Sequence, residues 1–163
     1  MTTVLGWVVA ALAAGALAVV VSIVRAGAPL AAPPGPAARL ALYLTTNVAE
    51  STQGSPRPEL RPAEHAVSPD AALAATRAVA AALGWAEVEV DSGPDRGATV
   101  RAVAITGWLR FRDDVEVRIV PLGSEGVQVL VRSRSRVGRG DLGANAGRVA
   151  TFQRALAEQL ARR

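Results

Sequence analysis

The chain has 163 residues, 50% of them hydrophobic but only 4% aromatic, and a net charge of +4, which leaves room for one small domain. It has no cysteine, a single histidine (His65), and 18 basic residues that are all arginine. Disulfides, thiolate and multi-histidine metal sites, cysteine nucleophiles, Schiff-base lysines and phosphate-loop lysines are thereby excluded, and neither a metal nor a cofactor is expected.

Val4 to Val24 runs for 21 residues without a charge. At about 1.5 Å per residue this is roughly 31 Å, against a bilayer hydrocarbon core of about 30 Å. A cleaved signal peptide is the competing reading, but Met1-Thr2-Thr3 lacks the positive charge such peptides carry. The expectation is an uncleaved anchor over residues 1–25. No basic residue precedes the span, whereas Arg25 and Arg39 follow it. The positive-inside rule then puts the N-terminus outside and the C-terminal part on the cytoplasmic side of the inner (cell) membrane. Ala10, Ala14 and Ala18, with Ala11 and Gly15 one step over, form a small-residue face of the kind that lets helices pack closely in lipid.

Residues 26–68 read as a proline-rich linker containing a short apolar segment, Arg39 to Val48. His65 falls in this loop as an ordinary exposed residue. Residues 69–163 read as the head domain. Ser68-Pro69-Asp70 starts a helix running from Pro69 to Leu83: a serine cap, a proline in the first turn and an acid at the positive end. Four strands follow, over Ala86–Asp91, Thr99–Thr106, Leu109–Val120 and Val127–Ser135, with turns at 92–97 and 123–126. Ala144 to Arg162 is a helix with Val149, Phe152, Leu156 and Leu160 in one stripe. The expected class is α+β: a transmembrane helix followed by a two-layer sandwich of a four-stranded antiparallel sheet with two helices on one face.

The charged residues of the second half draw attention. Alternation puts Asp113 on the apolar face of the third strand with Val115, Val117 and Ile119, unless a bulge substitutes Asp114. A carboxylate on that face needs a partner, and Arg132, Arg134, Arg136 and Arg148 are the candidates. The first expectation is a buried structural ion-pair network of Asp113, Asp114, Arg132, Arg136, Asp141, Asn145 and Arg148 that ties the third and fourth strands to the final helix, with Asp113 or Asp114 paired to Arg132 or Arg136, so that losing Arg136 destabilises or unfolds the head. A second is an anion site built from Arg132, Arg136 and Arg148 beside the glycine-rich helix start, where Asp141 or Asn145 supplies the cap. Acid–base catalysis by Asp113 and Asp114 ranks third, because adjacent strand residues face opposite ways. Nucleic acid is not an expected partner: the basic run Arg132–Arg136 has no exposed aromatics interleaved.

These residues also carry a resemblance. Phe111-Arg112-Asp113-Asp114, followed by Arg132-Ser133-Arg134-Ser135-Arg136-Val137-Gly138 and by Asp141, Gly143, Asn145 and Arg148, is similar to the signature of the domain of unknown function 1499 family. The likeness covers Trp108 to Arg163, more weakly back to Pro69. Where that family carries Asn-Cys-Val-Ser-Ser, this chain has Asn47-Val48-Ala49-Glu50-Ser51. The resemblance implies a fold and a motif but no reaction, and relatives in bacteria and chloroplast-bearing organisms.

The expected function is non-catalytic: a single-pass accessory subunit of a larger integral membrane complex, energy-transducing and photosynthetic or respiratory. Other membrane subunits and the bilayer are its partners. The alternative is a membrane-anchored module that binds an anionic lipid or small metabolite.

Overall fold

The structure is a computed structural model that describes residues 2–92, 97–106 and 110–162. Residues 93–96 of the expected turn at 92–97 and the first residue of the expected third strand, Leu109, lie outside the described residues. A long helix α1 (Thr2–Arg25) leads into α2 (Pro36–Thr45) and β1 (Val48–Glu50). A 3-10 turn (Pro58–Leu60) precedes β2 (Ala63–His65). Then come α3 (Pro69–Ala82), β3 (Ala86–Ser92), β4 (Ala98–Ile105), β5 (Arg112–Pro121), β6 (Val127–Ser135) and α4 (Ala144–Ala161). The architecture is α+β, as the residue pattern implies, but the sheet has six strands rather than four. All pairings are antiparallel, in the order β1-β6-β5-β4-β3, with β2 also on the outer edge of β6.

The two additional strands come from the stretch expected to be linker. Each is only three residues long, too short for alternation to show. Together they divide one edge of β6: β1 pairs with Arg132–Arg134 and β2 with Val127–Val129.

The sheet's inward face follows from strand alternation. Val100 and Ala102 on β4, Val115, Val117 and Ile119 on β5, and Val129 and Val131 on β6 are all buried. Helices α3 and α4 pack on each other and on this face. Ser68 caps α3 by accepting from Ala71 N at 3.2 Å, and Val149, Phe152 and Leu156 of α4 fill the core. Phe152 stacks on Trp85 with ring centroids 5.2 Å apart. The opposite face is a ladder of charges, with Arg101 3.4 Å from Glu116 and 3.8 Å from Asp91. The edge strand β3 is irregular, its register shifting between Ala86 and Glu89.

The segment after α1 is held together by a buried arginine. Arg39 is fully buried on α2. It holds Glu59 in a fork of 2.6 and 2.9 Å, donates to the Tyr43 hydroxyl at 2.9 Å, and takes up the carbonyls of Ala32 and Pro33. The hydrogen bonds to Glu59 raise its pKa further above the usual arginine range. Breaking a buried pair of this kind typically costs about 3–5 kcal/mol.

Within the described residues α1 is long and apolar enough to cross a membrane, and nearly all of it is exposed. The exception is its C-terminal end, where Ile23 is buried against the head's core.

His65 is not the exposed loop residue its proline-rich surroundings suggest. It sits half-buried on β2 opposite Val127, and burial pushes its imidazole below the ordinary value of 6.5. The unfolded chain therefore takes up this proton first on acidification. Its contribution to stability is complete above pH 6.5 and declines as pH falls below that value. Thermal melts across pH should show this loss in the wild type and a shallower acid slope in His65→Gln.

Candidate functional site

The inward face of the sheet turns polar at one end. Asp113 lies opposite Ser135, and Val115 opposite Ser133, in an unbroken β5–β6 register. No bulge intervenes, so strand parity alone buries Asp113. Its partner comes from α4: Arg148 Nη2 donates to Asp113 Oδ2 at 2.7 Å, with the two side chains 12% and 1% exposed. Arg148 Nη1 donates to Ser133 Oγ at 2.7 Å and Asn145 Oδ1 at 2.6 Å. Asn145 is fully buried and fully used. Its oxygen also accepts from Ser133 Oγ at 2.7 Å, and its amide donates to Ser135 Oγ at 2.9 Å and Asn47 O at 2.8 Å. Asp141 resolves the choice of cap. Its carboxylate accepts from Gly143 N and Asn145 N, each at 2.9 Å, which stabilises the positive end of α4.

The rest of the expected network lies elsewhere. Asp114 and Arg136 form a solvent-exposed pair at 2.6 Å, and this hydrogen bond raises the Arg136 pKa. Arg132 meets Glu50 at 3.3 Å on the open face. Alternation along β6 is the reason: Ser133 and Ser135 point inward, so Arg132 and Arg134 point outward. Arg132 and Arg136 are therefore not the partners of the buried aspartate, and with Arg148 they form no common anion site. Asp113 and Asp114 face opposite sides and are no acid–base pair. Ser133, Ser135 and Asn47 also enter the network, a role that the sequence alone does not assign to them although the serines stand in the arginine–serine run.

A cavity of about 870 Å³ opens beside this network. Its walls include Val21 and Arg25 of α1, Trp85 and Phe111 from the sheet side, and Asp113 and Arg148. Asp113 Oδ1 is buried and has no hydrogen-bond partner among the described residues. Two glycines bring the walls together. Gly147, on α4, lies so close beneath the Ala26 carbonyl that a Cβ would collide with it. Gly143, at φ 82°, meets Ala28 and Tyr43. Of the small-residue face of α1, Ala18 reaches the cavity. Ala10, Ala11, Ala14 and Gly15 are exposed, and Gly15 has no neighbour within 4 Å of where a Cβ would stand. Among the described residues no cluster of three or more His, Cys, Asp or Glu is placed to hold a metal.

Residues 39–156 match the model of a family described as "Protein of unknown function (DUF1499)". The chain belongs to this family. The match begins at Arg39, well before the stretch that carries the resemblance in sequence, and so takes in α2, β1 and β2 as well as the buried network. No curated protein matches the chain.

Arg148→Ala should melt at a much lower temperature, because it leaves Asp113 buried and unpaired, a loss of about 3–5 kcal/mol. Arg136→Ala should melt almost where the wild type does. Thermal denaturation of the two variants side by side checks both, and a large loss in Arg136→Ala alone would contradict the arrangement.

Proposed function

We propose that the protein is a non-catalytic, membrane-anchored binding module whose head holds an amphiphile at the bilayer surface. The observation that carries this reading is the composition of the cavity wall. One side is the C-terminal end of an apolar helix of membrane-spanning length, and the other carries the charged pair Asp113 and Arg148. Ala18, Val21, Ser22 and Arg25 all line the cavity, so it extends about 10 Å down the helix axis. With Val4 to Val24 across the hydrocarbon, that depth reaches below the headgroups. The exposed Phe111 and Val137, at 46% and 66%, line the same cavity and suit contact with lipid.

The arginine asymmetry around the span supports a cytoplasmic head at the inner membrane. Protease added to cells with permeabilised outer membranes should leave the 51–69 segment intact, and cutting there would reverse the orientation.

The protein purified in mild detergent should retain a phospholipid, detectable by native mass spectrometry. Ser22→Trp, which places an indole on the cavity's helical wall, should abolish retention without unfolding the head. A wild-type protein free of lipid, or a variant that retains it equally, speaks against the reading.

A second reading, an accessory subunit of a larger membrane complex, is favoured by the exposed face of Ala10, Ala11, Ala14 and Gly15, which is open to close approach by another helix. Co-eluting membrane subunits in the same preparation would support it.

A further inference from the structure

We infer that the end of the head beside α1 is a membrane-inserting face: Phe111 and Val137 sit among lipids at the edge of the hydrocarbon, and Arg110 and Arg139 hold phosphates next to them. The inference rests on α1 crossing the bilayer, as in the reading above, and not on what fills the cavity.

Three strand ends meet at this face. β4 finishes at Ile105, paired with Arg112 at the start of β5, and β6 finishes at Ser135 opposite Asp113. Phe111 and Val137 each stand two residues past that last β5–β6 pair. Phe111 is 46% exposed, Val137 66% and Ile105 38%. All three line the cavity whose other wall is α1. Large apolar side chains gathered at one end and left in solvent mark a surface that is covered when the protein works.

Depth says what covers it. Ala18 and Val21 line the same cavity, and Ala18 precedes Val24 by six residues, about 9 Å down the helix axis. With Val4 to Val24 across the hydrocarbon, head residues that face Ala18 and Val21 are level with the last turns of the span. The surroundings there are acyl chains and headgroups.

The charges agree. Arg110 and Arg139 are exposed and enter no salt bridge among the described residues. Their neighbours Arg112 and Arg136 are already held by Glu87 and Asp114. A free guanidinium on a long apolar stem suits the depth where hydrocarbon gives way to phosphate, and anionic lipids attract it further.

The chain has no cysteine, so Phe111→Cys, Val137→Cys and Glu125→Cys each take a fluorescent label at one position. Glu125 is exposed in the turn at the far end of β5, about 30 Å away. The full-length protein is placed in lipid nanodiscs of phosphatidylcholine and phosphatidylglycerol. The labels at 111 and 137 should be quenched by nitroxide-bearing lipids, and several-fold less by aqueous iodide than the label at 125. Iodide quenching equal to that at 125 overturns the inference and leaves the anchor intact. Shielding from both quenchers also overturns it, since a second copy would then cover the face. Arg110→Gln combined with Arg139→Gln should bring the two labels closer to water, and unchanged quenching overturns the part given to the arginines. Alkaline washing of membranes reads the anchor separately: release of the chain overturns the anchor and this inference with it.

Discussion

A carboxylate on the core face of a sheet dictates much of this molecule. Strand parity puts Asp113 inside, and removing one charge of a buried pair is far costlier than leaving both in place. Arg148 must therefore come down from α4 to meet it, which fixes the rotation of that helix over β5 and β6. Arg148 in turn needs acceptors for its other nitrogen, and Ser133 and Asn145 supply them. Asn145 reaches the backbone of Asn47 just ahead of β1, so the network also locates the first strand at the sheet edge. Helix, sheet and edge are positioned by one chain of hydrogen bonds, with Asp113 Oδ1 buried without a partner among the described residues.

The second constraint is steric. The exit of the long helix passes over the start of α4 at a distance that only a residue without a Cβ tolerates, and Gly147 stands there. The buried Arg39–Glu59 fork holds the proline-rich segment that follows. Because the polypeptide is fixed at both points, the last turns of α1 stand over the polar end of the sheet, and the space enclosed between them has one apolar and one polar wall.

How much of this is visible in the sequence depends on the range of each interaction. The inward placement of Asp113, Ser133 and Ser135 follows from alternation, a local property, as does the cap at Ser68. The helix limits follow from proline, glycine and the apolar stripe. The choice of Arg148 over Arg132 or Arg136 does not, because it compares the phase of a helix with that of a strand 35 residues away. Strands β1 and β2 are legible only once the free edge of β6 exists to pair them. Arg39 reads as the polar start of an apolar segment until Glu59, 20 residues on, is placed beside it. The cavity is the least legible feature, since it belongs to the gap between two elements rather than to either one.

The irregular edge strand bears on how the protein meets a second copy of itself. A sheet of six strands offers two flanks on which a neighbouring chain can extend it, and such growth is how β-proteins aggregate. On one flank β1 and β2 already occupy the outer side of β6. On the other, β3 presents Glu87, Glu89 and Asp91, its register is interrupted between Ala86 and Glu89, and Glu87 sits at φ 53°. A second copy meets charge and a broken hydrogen-bond template there instead of a strand it can join.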